Sequence, residues 1–492
     1  MSRIVGEAPP PSWPTPALIA AIGVAALAAA LLLVQLAQDP VAGFTVSDSP
    51  FTDEGWSVLG ARNQALLGTW STDEWRLFWA QLPFNIAALA AFEVGGVGII
   101  QARLVAVVSS VLAVALLVDL LARRIGLGAA LVGGIGLATS TLLLYYGRLA
   151  ILEPMVVLFL VLGFSLLLGG WPRAPLGGGI ATGSALALAL ATKPSAVFPV
   201  TGALLAAFAV GGAVAALRRR VAVSAAVIGA SGLAWAVVVL AQPGLLSSIL
   251  RIWPHQELPD SLPALWQRVL DYLPNSDGAF LAAAPLLLGA ALGSVLGLAS
   301  WRRLEPARRA MLGAALGWFA AGLLILMVVP YRPNRYVVPL LPALAVLTAL
   351  GVQMAGDRVA AVGDRARTIA VAALAVAIAA PGVVAVGSWT SAATYHLPSI
   401  QARMLELVGD AAAPMEGGPA ATLAMRVPAP AIVPRSDVNA GDLYDEYGVR
   451  WLLIGPSTAP AWAGEHAAAW AAREVIECFD WEPREVCLIR VP

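Results

Sequence analysis

Phe51-Thr52-Asp53-Glu54-Gly55-Trp56, running on through Ala61-Arg62-Asn63 to Gly68, is the polar stretch around which the chain is organised. It follows the first apolar segment and sets two adjacent acids at the start of a short amphipathic helix. Thr52 or Asp53 is placed to cap that helix, Trp56, Leu59, Leu66 and Leu67 recur on one face, and Gly68 ends it. A carboxylate at a helix N-terminus meets free N–H groups and the positive end of the macrodipole. Two readings fit the pair alone: an ordinary capped interfacial helix with solvated acids, or a catalytic base held at the rim of a membrane protein. The surrounding sequence has to decide.

Hydrophobic residues make up 59% of the chain and charged residues 12%, where a soluble domain carries about 25% charge. The chain therefore reads as a polytopic, all-α membrane protein. A net charge of zero argues against nucleic acid as partner. His255, His396 and His466 lie far apart and the two cysteines fall only near the end, so no zinc-type cluster is legible. No Walker sequence and no Gly-x-Gly-x-x-Gly after a strand supports ATP-driven or dinucleotide chemistry. Residues 1–16 form a short Pro-rich N-terminus, expected on the cytoplasmic side. The apolar run behind them reads as a first membrane helix, not a signal peptide.

Eleven apolar runs of roughly 15–21 residues are near the length that crosses a bilayer. They centre on 17–36, 104–121, 129–145, 149–168, 177–191, 195–210, 221–241, 279–298, 311–329, 337–354 and 368–386. The stretch 83–100 is apolar but short and broken by Glu93 and Gly95-Gly96, and reads as a helix lying in the interface. Counting it so places Arg3, Arg123-Arg124, Arg173, Arg218-Arg219-Arg220, Arg302-Arg303, Arg308-Arg309 and Arg358 to Arg367 on one side, as the positive-inside rule requires. A membrane domain over 17–388 follows, with 39–103 as its first extracytoplasmic loop.

This topology gathers the chemical-looking residues at the opposite rim. Tyr145-Tyr146-Gly147-Arg148 to Glu153-Pro154 lies at one tight turn, Thr192-Lys193-Pro194 at another, and Tyr331-Arg332-Pro333-Asn334-Arg335-Tyr336 at a third. Taken alone, Arg148 and Glu153 read as well as snorkelling or paired side chains as they do as functional ones. Lys193 is the only lysine in a chain that otherwise uses arginine for every positive side chain. Asp73-Glu74, among Trp70, Trp75, Phe78 and Trp79, reads as structural, on a helix at the interface. The loop 242–278, with Trp253, His255, Glu257, Trp266 and Tyr272, is long enough to cover a donor or meet an acceptor. Residues 389–492 regain normal charge density and alternate short strands with a helix around 462–470, a small extracytoplasmic α/β domain. Cys478 and Cys487 flank a turn there; they read as a disulfide or as two free buried thiols.

Lys193, Arg332, Arg335 and Arg148 facing a carboxylate form a layout suited to a lipid-phosphate substrate. If lipid phosphate is the leaving group of a sugar, it departs as a stabilised anion. One base and a set of cations then suffice, without the two opposed carboxyls of glycosidases.

The ordered set Asp53-Glu54-Gly55, Ala61-Arg62 and Gly68, then Ala102-Arg103-Leu104, Tyr145 to Ala150 with Glu153-Pro154, Thr192-Lys193, and Arg332 to Tyr336 with Pro339 and Pro342 resembles the GT-C membrane glycosyltransferases. It is most similar to the branch holding protein O-mannosyltransferases and lipid A aminoarabinose transferases, over about residues 17–350. The resemblance implies the GT-C fold and inverting sugar transfer from a polyprenyl-phosphate donor to a protein, lipid or cell-wall acceptor at the extracytoplasmic face of the cell membrane. It implies Asp53 as catalytic carboxylate with Glu54 as its acceptor-side neighbour. Arg148, Glu153, Tyr146 and Tyr336 would shape the site, and Lys193, Arg332 and Arg335, with Arg148, would hold the donor phosphate. Gln81-Leu82-Pro83-Phe84 stands where relatives carry a His-Pro-Pro-like entry, and Ser140-Thr141 where a proline is expected. Asp53, Glu54 and Glu153 form a candidate set for one Mg or Mn ion. A transporter or flippase of lipid-linked sugars, and a non-catalytic membrane assembly protein, are the alternatives. Transport would place charges at the bilayer midplane in paired repeats, which the rim-only pattern does not match.

Overall fold

Long runs of Ala, Leu, Val and Gly leave the backbone one way to satisfy its N–H and C=O groups inside lipid, the helix. A computed structural model describes residues 16–41, 53–169, 174–210, 215–242, 245–247, 261–272, 282–329, 333–358, 363–409, 413–434, 439, 441–481 and 484–492. The helices are α1 Pro16–Leu33, α2 Asp53–Leu67, α3 Leu82–Gly95, α4 Ile99–Arg124, α5 Leu127–Ala138, α6 Thr141–Tyr146, α7 Glu153–Leu168 and α8 Pro175–Thr192. There follow α9 Val197–Val210, α10 Ala215–Ala241, α11 Leu262–Tyr272, α12 Ala284–Ala299, α13 Pro306–Val328, α14 Leu341–Arg358, α15 Asp364–Ser391 and α16 His396–Val408.

Among the described residues, seven helices are long and apolar enough to cross a membrane and five shorter apolar helices accompany them. Each expected span falls on one of these, and the extra one is α3, the helix expected in the interface. The chain is a multi-pass membrane protein. One expectation changes: the run 129–145 is two helices. Ser140 is extended (φ −57°, ψ 124°), and a Cβ on Gly382 of α15 would stand 1.7 Å from the Thr139 carbonyl oxygen, so α15 presses on this break. Elsewhere small residues let spans cross closely. A Cβ on Gly202 of α9 would lie 2.1 Å from the Gly317 oxygen of α13.

The C-terminal region is a small α/β unit: β1 Met415–Glu416, α17 Ala420–Leu423, β2 Ala431–Ile432, α18 Leu443–Tyr447, β3 Trp451–Ile454, α19 Ala459–Glu465, α20 Ala467–Ala471, β4 Glu474–Trp481 and β5 Arg484–Arg490. The sheet order is β2-β1-β3-β5-β4, parallel where β1 meets β2 and β3, antiparallel across β3–β5 and β4–β5. The helix expected around 462–470 is the pair α19 and α20. Cys478 and Cys487 pair across β4–β5 and form a disulfide.

This unit is not an appendage. One face of its sheet shares a core with α2, α3 and the start of α4, through Val58, Phe84, Ile99, Leu397, Met425 and Leu453. The Asp39 carboxylate, after α1, accepts the His396 and Leu397 N–H groups at 2.8 Å each and so caps α16. Asp73 ties the loop after α2 to the same unit. Its carboxylate accepts the Trp75 N–H at 3.1 Å and the Asn439 Nδ2 at 2.9 Å. The Asp73-Glu74 pair thus includes a structural acid, although a single 3-10 turn, Leu77–Ala80, stands where an interfacial helix was expected.

Burial holds the Asp73 carboxyl up, at about 6 against 3.8 for the free group. The folded chain therefore keeps a proton that the unfolded chain has lost, and stability falls as pH rises across that interval. The shift corresponds to roughly 2–3 kcal/mol. Asp73→Asn should flatten the fall in Tm of the detergent-purified protein between about pH 4 and pH 6.5; a slope like that of the wild type would assign it to another group.

Candidate active site

Four charged side chains, each fixed at the end of a helix, meet at one rim. Asp53 is the first residue of α2. Glu153 opens α7, with Pro154 pre-set for the first turn. Lys193 ends α8 in an extended conformation before Pro194 starts a 3-10 turn. Arg335 and Tyr336 lie in the 3-10 segment Asn334–Leu340 that leads into α14.

The charges alternate. Asp53 Oδ2 is 2.5 Å from Arg335 Nη1, Arg335 Nε is 3.3 Å from Glu153 Oε1, and the same Glu153 oxygen is 2.5 Å from Lys193 Nζ. Lys193 Nζ also stands 4.1 Å from the centre of the Tyr336 ring, whose face attracts a cation. Glu153 is 2% exposed, Lys193 and Arg335 are 14% and Asp53 is 24%, so the array opens towards solvent at Asp53. Two negative and two positive groups leave it formally neutral. It offers one partly exposed carboxylate as a base and two cations for an anion.

Glu54 does something different. Its carboxylate is held by both arms of Arg103, at 2.8 and 2.7 Å, and accepts the Ala150 N–H at 2.8 Å. Both side chains are fully buried. Arg103 also donates to the carbonyls of Leu36 and Gln38 at 2.7 and 2.6 Å. Arg148 likewise faces backbone, donating to Val34 and Gln35 carbonyls at 2.6 and 2.5 Å. Gln35 is, among the described residues, the only non-glycine with positive φ (49°). Tyr146 packs edge-on against Tyr145 within the main hydrophobic core, ring centres 4.7 Å apart. The structure thus brings Asp53, Glu153, Lys193, Arg335 and Tyr336 together, and places Glu54, Arg148 and Tyr146 in the scaffold. Arg332, and most of the loop 242–278 with Trp253, His255 and Glu257, lie outside the described residues.

The candidate metal set does not assemble. Among the described residues Asp53, Glu54 and Glu153 form no group with donor atoms within 4.8 Å of one another. Arg335 stands between Asp53 and Glu153, and Glu54 is committed to Arg103. The three carboxylates do not fit one ion as they stand. The grouping of Cys478, Glu485 and Cys487 is no alternative, because the two sulfurs are bonded to each other.

Sequence reasoning assigned no role to Arg103, Arg62 or Asn85. Arg103 carried a legible sign: a cation near the start of a 26-residue apolar helix is too costly to stand alone. Arg62 donates to four backbone carbonyls far along the chain, and Asn85 bridges the Ala61 N–H and the Ser57 carbonyl of α2. Nothing local to either residue announces those partners.

An all-helical membrane domain with an acid-bearing helix after its first span, a charged rim and a small α/β unit behind it is the GT-C architecture. The comparisons agree. Residues 70–212 match the family model described as dolichyl-phosphate-mannose-protein mannosyltransferase. The chain is similar to crystal structures of ArnT from Cupriavidus metallidurans. The apo form superposes with TM-score 0.66 at 16% identity, covering 95% of this chain and 97% of that one. The form bound to undecaprenyl phosphate superposes with TM-score 0.65 at 16% identity, covering 96% and 97%. An apo oligosaccharyltransferase from Archaeoglobus fulgidus shares the fold at TM-score 0.59 and 13% identity, over 92% of this chain and 71% of that one. No curated protein matches by sequence.

The chain therefore has the GT-C fold of those membrane glycosyltransferases. Its buried ion pair is testable directly. Glu54→Gln strands the Arg103 charge in the interior and should cost about 3–5 kcal/mol, seen as a lower Tm and a poor yield of folded protein. Asp53→Asn, at the open end of the array, should fold like the wild type. Equal stability of the two variants would show that the Glu54–Arg103 pair is dispensable.

Proposed function

We propose that the chain is an inverting glycosyltransferase that moves a sugar from a polyprenyl-phosphate donor to a hydroxyl on a protein, lipid or cell-wall acceptor. The observation that carries this is the rim array Asp53–Arg335–Glu153–Lys193, with a single partly exposed carboxylate at its open end. Support comes from the mannosyltransferase family match, from ArnT with bound undecaprenyl phosphate, and from AglB of Archaeoglobus fulgidus in complex with a dolichol-phosphate.

Asp53 accepts the proton of the acceptor hydroxyl as its oxygen attacks the anomeric carbon. The bond from that carbon to the phosphate oxygen breaks, and the electron pair leaves with the phosphate. Attack opposite the leaving group inverts the anomeric centre. Arg335 and Lys193 bind the phosphate and meet the extra charge it gains on leaving, which is where preorganised cations lower a barrier most. Arg332, three residues before Arg335, is a further donor ligand in this reading. Glu153 fixes both cations and Tyr336 walls Lys193. Glu54 and Arg148 act through the scaffold. No step is assigned to a metal.

The orientation of the helices supports an extracytoplasmic site. Arginine clusters fall at helix ends away from it: Arg123 and Arg124 end α4, Arg308 and Arg309 start α13, and Arg358 ends α14, whose other end follows Arg335. Arg308 and Asp357 lie 3.7 Å apart there, so the ends of α13 and α14 share one surface. Positive residues mark the cytoplasmic side. On this reading the site faces the extracytoplasmic side of the cell membrane.

The test is transfer from a radiolabelled panel of polyprenyl-phosphate sugars by the full chain in detergent. Asp53→Asn should lower turnover by about 10²–10⁴-fold while leaving donor binding intact. Lys193→Met should chiefly weaken donor binding. Wild-type protein that neither binds nor consumes any donor in the panel would overturn the proposal.

A further inference from the structure

The helix that carries Asp53 is gripped along its length by the C-terminal α/β unit. Arg62 is wholly buried and points its guanidinium at the segment between α17 and β2. Nε donates to the Met425 carbonyl at 3.1 Å, and Nη2 to those of Ala424, Val427 and Ala429 at 3.1, 2.5 and 2.8 Å. Nη1 donates to Asn63 Oδ1 at 2.8 Å. Burial lowers the guanidinium only to about 10, so it stays charged at neutral pH.

Two more bonds hold the first turn. The Gly55 N–H donates to Thr422 Oγ1 at 3.2 Å, and Trp56 Nε1 to the Gly418 carbonyl at 3.0 Å. The contact is close enough that a Cβ on Gly55 would lie 2.4 Å from the Ala421 backbone. Thr422 is itself fixed from α16, since Gln401 Nε2 donates to its carbonyl at 2.7 Å.

The cations of the rim array stand on other elements: Lys193 at the end of α8 and Arg335 before α14. The distance between base and phosphate site is therefore set by how α2 is held: Glu54 ties its first turn to Arg103 of α4, and the C-terminal unit grips it from the other side. Asp53 and Arg62 are nine residues apart on one helix, about 13 Å, so Arg62 acts on the reaction only through α2.

On the transferase reading above, we infer that the C-terminal unit is a positioning element of the reaction, and that Arg62, with Thr422 as a lesser partner, is a positioning residue that works with the Glu54–Arg103 pair to set Asp53 against Arg335. A displacement of 1 Å between reacting groups is enough to cost on the order of 10²-fold in rate. A carboxylate on a helix clamped at both its first turn and its middle holds that tolerance. Without that grip, polar contacts from the membrane-domain side alone, the Glu54–Arg103 pair and the Asn85 bonds, would hold the helix.

The experiment uses the full chain in detergent with Arg62→Met, Arg62→Lys and Thr422→Val. It reads turnover, the Kd for undecaprenyl phosphate and Tm. Arg62→Met should lower turnover by about 10²-fold with the Kd changed less than about threefold. Arg62→Lys should recover part of the loss, because an ammonium reaches some of the same carbonyls. Thr422→Val, which removes one hydrogen bond, should fold and lose about 3–10-fold. A folded Arg62→Met protein with wild-type turnover overturns the inference, as does parallel loss of turnover and donor binding in the Thr422→Val protein. A second readout does not depend on catalysis. With Cys478 and Cys487 already paired, cysteines placed at 53 and 335 report the α2 position by their rate of linkage with a short bifunctional thiol reagent. That rate should fall when Arg62→Met or Thr422→Val is added; an unchanged rate also overturns the inference. Should wild-type protein transfer no sugar, the transferase reading fails while the linkage rate still decides the positioning.

Discussion

The interaction on which the rest of the site depends is the buried ion pair between Glu54 and Arg103. Removing two charges from water is expensive, and replacing such a pair by apolar groups is often neutral for stability. Its effect here is specification. Arg103 comes from α4, Glu54 from α2, the bound carbonyls of Leu36 and Gln38 from the segment after α1, and the Ala150 N–H from the turn after α6. Four segments, each free to pack apolar surface in many ways, share one point at which only one arrangement satisfies the polar groups. The neighbouring acid then falls into place. Successive residues on a helix are about 100° apart, so a first turn that turns Glu54 inward presents Asp53 at the mouth, where Arg335 meets it. Two adjacent carboxylates acquire different jobs from the geometry of one turn.

Much of the scaffold was legible because the properties that determine it are local. The eleven apolar runs became helical, 129–145 as two helices, the arginine clusters among the described residues fell at one set of helix ends, and the 83–100 stretch became the short helix α3 beside the site. The break at Thr139-Ser140 was not legible, since α15 closing on it through Pro381-Gly382 is a contact between distant spans. Of the site, the types and order of Asp53, Glu153, Lys193 and Arg335 could be read. Which cation stood with which acid could not. Arg148 looks in sequence like a companion to Lys193, yet it satisfies the carbonyls that end α1. A basic residue at the rim can bind either a ligand or an unpaired helix C-terminus, and the sequence alone does not distinguish them.

The least legible part is the C-terminal unit. From residue 389 onward the composition reads as an independent small domain, and independence is what the structure removes. Arg62 and its carbonyl partners are 362–367 residues apart in the chain. Asp73 and Asn439 are 366 apart, and Asp39 and the backbone it caps are 357 and 358 apart. Each of these contacts satisfies buried polar groups that a solvated surface would leave to water. The tail thus completes the interior of the first loop, and the residues that dock it are scattered among apolar neighbours without any motif.

The charge balance of the rim array bears on how a phosphate-linked donor is used. A donor of the proposed kind carries one negative charge on its phosphodiester, and the polyprenyl phosphate it leaves behind carries up to two. Cations alone would bind that product more tightly than the donor, and its release would be slow. Glu153 sits between Lys193 and Arg335 and contacts both, so its charge subtracts from the attraction felt by either state. Its repulsion grows with the phosphate charge, so it loosens the released product more than the donor, while Lys193 and Arg335 still meet the charge that appears on the leaving oxygen. Arg335, which also contacts Asp53, links the two halves of the reaction. In the proposed reaction an incoming phosphate competes with Asp53 for Arg335, which would couple donor binding to release of the carboxylate.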